Sequence, residues 1–199
     1  NETGVCQDIP RIGLLAREQG VLLHVDAAQS LGKVAIDLST WQVDLMSFSA
    51  HKLFGPKGVG ALYVRQQPRV RLQPLIHGGG HELGLRSGTL ATHQIVGMGK
   101  ACELAQQRLD NDTQYVNTLA AEFWSRINQL PNIEINGATR NRYPGCFNLY
   151  CAGVDAETLI ASMPTLALSR GSACNAVTAM PSHVLTSMGR TAEQANQSI

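Results

Sequence analysis

Three residues of this chain have the types and settings to do chemistry. Asp26 ends an apolar run, Val21-Leu22-Leu23-His24-Val25. Lys52 follows a second run, Leu45-Met46-Ser47-Phe48, across the polar turn Ser49-Ala50-His51. A lysine amine just past the end of a buried strand can add to a carbonyl and form a Schiff base. A carboxylate from a neighbouring strand can pair with a protonated ring nitrogen, and a pyridoxal-type cofactor needs both groups to work as an electron sink. The plainer alternatives are a solvated surface lysine for Lys52 and a cap on the following segment for Asp26. The third residue, Cys174, sits among small and polar neighbours in Ser169-Arg170-Gly171-Ser172-Ala173-Cys174-Asn175-Ala176. That composition predicts a mobile, exposed loop rather than the buried setting usual for a structural cysteine.

The elements that must position these residues are legible from pattern. Short apolar runs bounded by Gly and Pro read as strands, so Val43–Gly60 is a strand, a turn bearing Lys52, a Gly55-Pro56-Lys57-Gly58 bend, and the start of a further strand through Val64. Lys57, between Pro56 and Gly58, is expected to stay solvated. Asp26 and Lys52 then lie at the carboxyl ends of neighbouring strands in a βαβ-like sheet, where α/β folds bind ligands. Asp8 reads as a helix N-cap, with Pro10 in the first turn, Leu14, Leu15 and Ala16 on the apolar face and Gly20 at the stop. Asp37 to Trp41 reads as a short helix. Thr92 to Leu130 has helical spacing, with a break expected at Asp110-Asn111-Asp112 and a stop at Pro131. Strands are expected at Ile133–Ile135, Cys146–Tyr150 and Leu166–Leu168, and a helix at Ala156–Ser162. The expected division is a large α/β domain over 1–110 and a smaller α+β domain over 111–199, the chain stopping at Gln197-Ser198-Ile199 inside a helical segment.

Composition narrows the function classes. The chain has 199 residues, a net charge of +1, 44% hydrophobic and 16% charged residues, which is ordinary for a globular protein. Near-zero charge argues against direct nucleic-acid binding, and there is no apolar run long enough for a membrane span. Five scattered cysteines without zinc spacing fit a reducing cytoplasm better than a disulfide framework. Cys146 and Cys151 fall on opposite faces of the expected strand and are not paired. His77-Gly78-Gly79-Gly80-His81 invites a metal reading, but two histidines four apart share a face only on a helix, and three glycines oppose one. An irregular loop is expected there, with no metal site.

Four stretches, HVDAAQSLGKVAIDL, DLMSFSAHKLFGPKGVGALYV, HGGGHELGLRSGT and SRGSACNA, occur in the order in which they stand in one family. Through them the chain resembles the cysteine desulfurases of the iron–sulfur-cluster assembly type, which are fold-type I pyridoxal-phosphate enzymes near the class V aminotransferases. The resemblance implies a largely parallel sheet with flanking helices, incomplete here, and an activity that converts L-cysteine to L-alanine while a persulfide forms on Cys174. It implies pyridoxal 5'-phosphate as cofactor, with Lys52 as its aldehyde anchor, Asp26 at its ring nitrogen, Gln29 at its phenolic oxygen, and Ser49 and His51 at its phosphate. Asn1 is placed near the cofactor and the substrate carboxylate, and Thr89 reaches the phosphate of the other subunit of a homodimer. Lys52 or His51 serves as general base. An iron–sulfur scaffold protein and other sulfur acceptors, including those for tRNA thiolation, are the implied partners, and Cys174 could transiently ligate a cluster.

Some alternatives stay open at this point. Thr89 could instead cap the following helix, and Gln29 could be a helix-surface amide. The family usually has Ser where Arg170 stands, and a cation there favours a thiolate. A class V aminotransferase, a selenocysteine lyase, or a catalytically incomplete fragment that only binds partners are the rival readings. The isolated chain is expected to be inactive, because family residues that cradle phosphate and hold the substrate carboxylate fall outside it.

Overall fold

A computed structural model describes residues 1–171 and 180–199; Cys174 lies outside the described residues. The chain divides into two compact units, one of residues 8–112 and one of residues 113–199 together with residues 1–7.

The first unit opens with α1 (Ile9–Glu18). Asp8 caps it by accepting from the Arg11 amide at 3.2 Å, and proline stands in its first turn, as expected. Gly13 is buried because α1 rests on the backbone of Gln42, where a Cβ would fall 2.8 Å from that residue's carbonyl oxygen. Next come β1 (His24–Asp26), β2 (Leu45–Ser49) and β3 (Gly60–Val64), side by side in that order. β1 runs parallel to β2, with Asp26 opposite Ser47, and β3 runs antiparallel to β2. The described sheet therefore holds one parallel and one antiparallel pair, the latter because a short Gly/Pro bend can only reverse the chain. Val43 and Met46 are fully buried with Ala27, and Leu23, Val25, Ile36 and Trp41 pack around them. Full burial of Val43 and of Met46 contributes about 1.5–3 kcal/mol each.

Asp44 is buried, yet it is well supplied with donors. Its Oδ2 accepts from the Leu23 amide at 2.9 Å and its Oδ1 lies 3.5 Å from the Arg17 guanidinium. Its amide donates to the Leu23 carbonyl at 3.0 Å, so one residue ties the entry of β1 to the entry of β2. Arg65, just after β3, donates to the carbonyls of Val43 and Trp41 and locks the third strand to the same point.

Asp37–Trp41 is a turn rather than the expected helix. The Asp37 carboxylate accepts from the Ser39 amide at 2.9 Å and from the Ser39 and Thr40 hydroxyls, a local closure that competes with helical bonding. α2 (Thr92–Ile127) is one continuous helix, without the expected break at Asp110-Asn111-Asp112. Polar residues at an exposed helix position cost only a few tenths of a kcal/mol each, too little to interrupt a long cooperative helix.

In the second unit β4 (Ile133–Ile135) pairs antiparallel with β5 (Leu149–Cys151), Glu134 opposite Tyr150. β5 starts later than the expected Cys146, since Cys146 closes a turn with Tyr143. α3 (Ala156–Ser162) matches its expected span, capped by Asp155, which accepts from the Thr158 amide at 3.0 Å. Leu166–Leu168 is not a strand. α4 (His183–Ser187) and α5 (Ala192–Asn196) follow. Ser198 and Ile199 are extended rather than helical: Ile199 and Leu149 exchange backbone bonds at 2.7 and 2.9 Å. Asn136, Asn148 and Ser198 are buried together, the Asn136 amide donating to Asn148 Oδ1 at 2.6 Å and to Ser198 Oγ at 3.1 Å.

Replacing Asp44 by Ala strands the Leu23 amide and should lower stability by about 1.5–3 kcal/mol, read as a lower urea midpoint at unchanged slope. Glu103→Ala, which removes only an exposed pair on α2, should leave the midpoint in place. Hydrogen bonds from Ser39 hold the Asp37 carboxyl below its ordinary 3.8. A depressed carboxyl stabilises the fold above its unfolded pKa and loses that contribution as pH falls through the folded one. Acid titration below pH 3.8 should therefore weaken the wild-type fold more than that of Asp37→Asn.

Candidate functional site

The parallel pairing of β1 with β2 brings two chemical groups to one edge of the sheet. Asp26 is the last residue of β1, and its Cα partner Ser47 stands two residues before the end of β2. Adjacent strands lie about 4.8 Å apart, so both strands deliver their next residues to the same side. From β2 the chain turns directly into a short 3-10 segment, Ala50–Leu53, that carries His51 and Lys52. Ala50 and Leu53 are buried and hold this turn, while His51 is exposed and Lys52 half-buried. Phe54 ends the segment in a left-handed conformation, with φ of 65°. Lys57, by contrast, stands exposed on the bend, as expected.

The polar groups at this edge are only partly engaged. Asp26 is exposed, and its Oδ1 accepts from the Ala28 amide at 2.9 Å. It thus does close the local turn, but its second oxygen takes no partner among the described residues. The Lys52 amine likewise has no hydrogen bond or ion pair among the described residues. Ser49 Oγ lies 2.8 Å from His51 Nδ1, so hydroxyl and ring orient one another. Gln29 is half-buried, and its Oε1 accepts from the Lys33 ammonium at 3.1 Å. Since an ammonium only donates, this bond faces the amide oxygen to Lys33 and leaves the NH₂ to donate elsewhere.

This donor set fits an aromatic aldehyde that carries a ring nitrogen and a phosphate. It offers an amine for the aldehyde, a carboxylate for the nitrogen, an amide donor for a ring oxygen, and a hydroxyl and an imidazole for the phosphate.

Thr89 is exposed and stands three residues before α2 begins, so it does not cap that helix. The stretch from His77 to His81 is irregular, as expected, and His81 Nδ1 accepts from the Gly88 amide at 3.4 Å. Asn1 belongs to the second unit and is exposed. Its neighbours Glu2 and Thr3 are buried, and Val5 bridges to Arg142.

Sequence reasoning passed over Glu2, Arg170's partners and Lys33. Glu2 Oε1 accepts from Ser182 Oγ at 2.5 Å and faces Gly171, so it touches both flanks of the segment containing Cys174. Arg170 pairs with Glu157 on α3 and donates to Asn196 Oδ1 on α5 at 2.8 Å, which anchors the near flank. Glu2 had a signal in its place within Asn1-Glu2-Thr3-Gly4; the Arg170 pairs, remote in sequence, had none. A hollow of about 540 Å³ in the second unit, lined by Leu119, Phe123, Phe147, Leu168 and Ile199, is apolar and holds none of the candidate residues.

A family model described as aminotransferase class-V matches residues 1–196. Cysteine desulfurase IscS of Colwellia psychrerythraea is 50% identical across the whole chain, which covers 49% of that protein. Cysteine desulfurase IscS of Azotobacter vinelandii is 53% identical, again over the whole chain and 49% of the relative. Among solved structures, a NifS-like protein from Rickettsia africae superposes with a TM-score of 0.88 at 28% identity, over 99% of this chain and 52% of that one. The chain spans about half the length of the curated relatives it matches. With its strand-end carboxylate and lysine set in this α/β frame, the chain belongs to the class-V aminotransferase family.

Proposed function

We propose that this chain is the lysine- and cysteine-bearing part of a pyridoxal-phosphate-dependent cysteine desulfurase, which takes L-cysteine to L-alanine and passes the sulfur on. The observation that carries the reading is the shared strand edge: Asp26 and the Lys52 turn leave two adjacent parallel strands on the same side. The similarity to IscS desulfurases over every residue of the chain supports the choice of reaction.

In this reading Lys52 holds the cofactor's aldehyde and Asp26 keeps its ring nitrogen protonated. Gln29 donates to its phenolic oxygen, and Ser49 with His51 holds its phosphate. When bound, the cofactor supplies an electron sink for the bonds around the substrate's Cα. Asn1 orients the substrate carboxylate. The Lys52 amine would move a proton at the substrate, with His51 the alternative base. Cys174, as thiolate, takes the substrate sulfur. Arg170 is held by Glu157 and Asn196, and Glu2 by Ser182, so both flanks of the thiol's segment are anchored.

The protein acts as a homodimer in which Thr89 reaches the partner's phosphate. Support comes from apolar side chains of the first unit left in solvent: Phe54 is 100%, Leu75 93% and Leu83 95% exposed. A smaller α+β domain carries the cysteine segment, and an iron–sulfur scaffold and other acceptors receive the sulfur. A reducing cytoplasm suits the free thiols of Cys6, Cys102, Cys146 and Cys151. No helix among the described residues is long and apolar enough to cross a membrane.

The test uses the intact protein with added cofactor. The wild type should develop a visible absorption band, which Lys52→Ala abolishes. Cys174→Ser should keep the band and lose sulfur transfer to an acceptor thiol. Full-rate transfer by Cys174→Ser, or turnover with an α-keto acid acceptor and none with cysteine, would overturn the desulfurase reading. Ser49→Ala should raise the cofactor's dissociation constant about tenfold, the worth of one charge-assisted hydrogen bond to phosphate. Equilibrium dialysis measures it.

A further inference from the structure

Arg142 is an unusual cation for a half-buried position. Its Nε and one terminal nitrogen are enclosed without a hydrogen-bond partner among the described residues. The other terminal nitrogen donates to the Thr3 carbonyl at 3.1 Å and the Cys146 carbonyl at 2.6 Å, and the guanidinium lies 5.4 Å from the centre of the Phe147 ring. No carboxylate pairs with it among the described residues. Burial pushes Arg142 below its ordinary value, and among the described residues the thiols of Cys146 and then Cys6 act the other way. An enclosed guanidinium with unsatisfied N–H groups is most stable beside an anion, and thiols can supply one.

The backbone brings these thiols to one place. Residues 4–6 run beside residues 141–143: the Cys6 amide donates to the Asn141 carbonyl at 2.7 Å, and the Tyr143 amide donates to the Gly4 carbonyl at 2.9 Å. Cys146 then folds back over Gly4. A Cβ on Gly4 would fall 2.8 Å from the Cys146 carbonyl oxygen and 3.3 Å from its sulfur, so glycine is needed there for space as well as for its φ of +77°. The Cys6 sulfur lies 3.8 Å from the Gly4 carbonyl oxygen. Both sulfurs thus flank the same residue, and both cysteines are only half-buried.

We propose that Cys6 and Cys146, both beside Gly4 and near the Arg142 guanidinium, form an oxidisable dithiol, a modification site separate from Cys174. The oxidant is a hydroperoxide. The Cys146 thiolate attacks one oxygen of hydrogen peroxide. A sulfur–oxygen bond forms as the O–O bond breaks, and the departing hydroxide takes up the proton that Cys146 released on becoming a thiolate, giving water. Cys6 sulfur then attacks the resulting sulfenic acid. The disulfide forms as the hydroxyl leaves, protonated by the second thiol proton, as a second water. Two thiols lose two electrons, and the peroxide gains them. The link bears on the chain's first residues, since the Cys146 sulfur lies 3.8 Å from the carbonyl oxygens of both Asn1 and Glu2.

The intact protein is treated with hydrogen peroxide, blocked with a thiol alkylator, and digested for mass spectrometry. The expected product is a peptide pair joining Cys6 to Cys146, two hydrogens lighter than the separate peptides and released by dithiothreitol. Cys6→Ser and Cys146→Ser should each abolish it. Arg142→Met should slow its formation roughly tenfold, and Arg142→Lys, which keeps a cation and guards against misfolding of the Met variant, should restore much of the rate. The proposal is overturned if the two cysteines stay alkylatable after Cys174 is fully oxidised, if Cys146 links to another cysteine, or if Arg142→Met forms the bond at the wild-type rate. None of these readouts requires cofactor or turnover, so failure here leaves the desulfurase proposal standing, and the reverse holds as well.

Discussion

The parallel registration of β1 on β2 is the constraint on which the candidate site depends. A parallel pair cannot be closed by a tight turn, so the residues between Asp26 and Leu45 must travel back along the sheet before β2 begins. What fixes the register is a small set of bonds at the strand entries rather than long ladders, since β1 is only three residues long. The Asp44 carboxylate and amide both engage Leu23, and at the opposite end the Ala27 amide donates to the Ser47 carbonyl at 2.9 Å. A slip of one residue would turn Met46 from the core to the other face and carry Asp26 away from the turn that bears Lys52.

The second unit is held by a different device. Its two-stranded sheet is too small to bury much apolar surface, and its interior includes Asn136, which donates to both Asn148 and Ser198. Arg190 extends that network, donating to Asn136 Oδ1 at 2.7 Å and to Glu134 Oε2 at 2.8 Å while lying over the Tyr150 ring. A satisfied buried polar network specifies one arrangement, because any shift strands a donor or acceptor in a poorly hydrated place. The same logic makes Arg142 conspicuous, as a half-buried cation left incompletely satisfied among the described residues.

Local chemistry was readable wherever one residue acts on its near neighbours. The Asp8 cap, the span Ala156–Ser162, the strand Ile133–Ile135 and the Lys52 turn each follow from residue type and short-range spacing. Misreadings arose where a local signal competed with something stronger. The Asp110-Asn111-Asp112 triplet looks like a break, but its polar side chains sit exposed on α2 without interrupting it. Asp37 looks like a helix start, but its carboxylate saturates itself on Ser39 and Thr40.

By itself the sequence determined which residues could do chemistry, and that Asp26 and Lys52 each follow an apolar strand, because strand pattern and turn chemistry are properties of a few consecutive residues. Only the tertiary structure decided that β1 and β2 are neighbours and parallel, that Ser198 and Ile199 are extended beside β5 instead of helical, and that Asn1-Glu2-Thr3-Gly4 is pinned by Arg142, Cys146 and Ser182. These are pairings between residues far apart in the chain. Their energies depend on what desolvates each group and what answers it, and neither is encoded at the position of either partner alone.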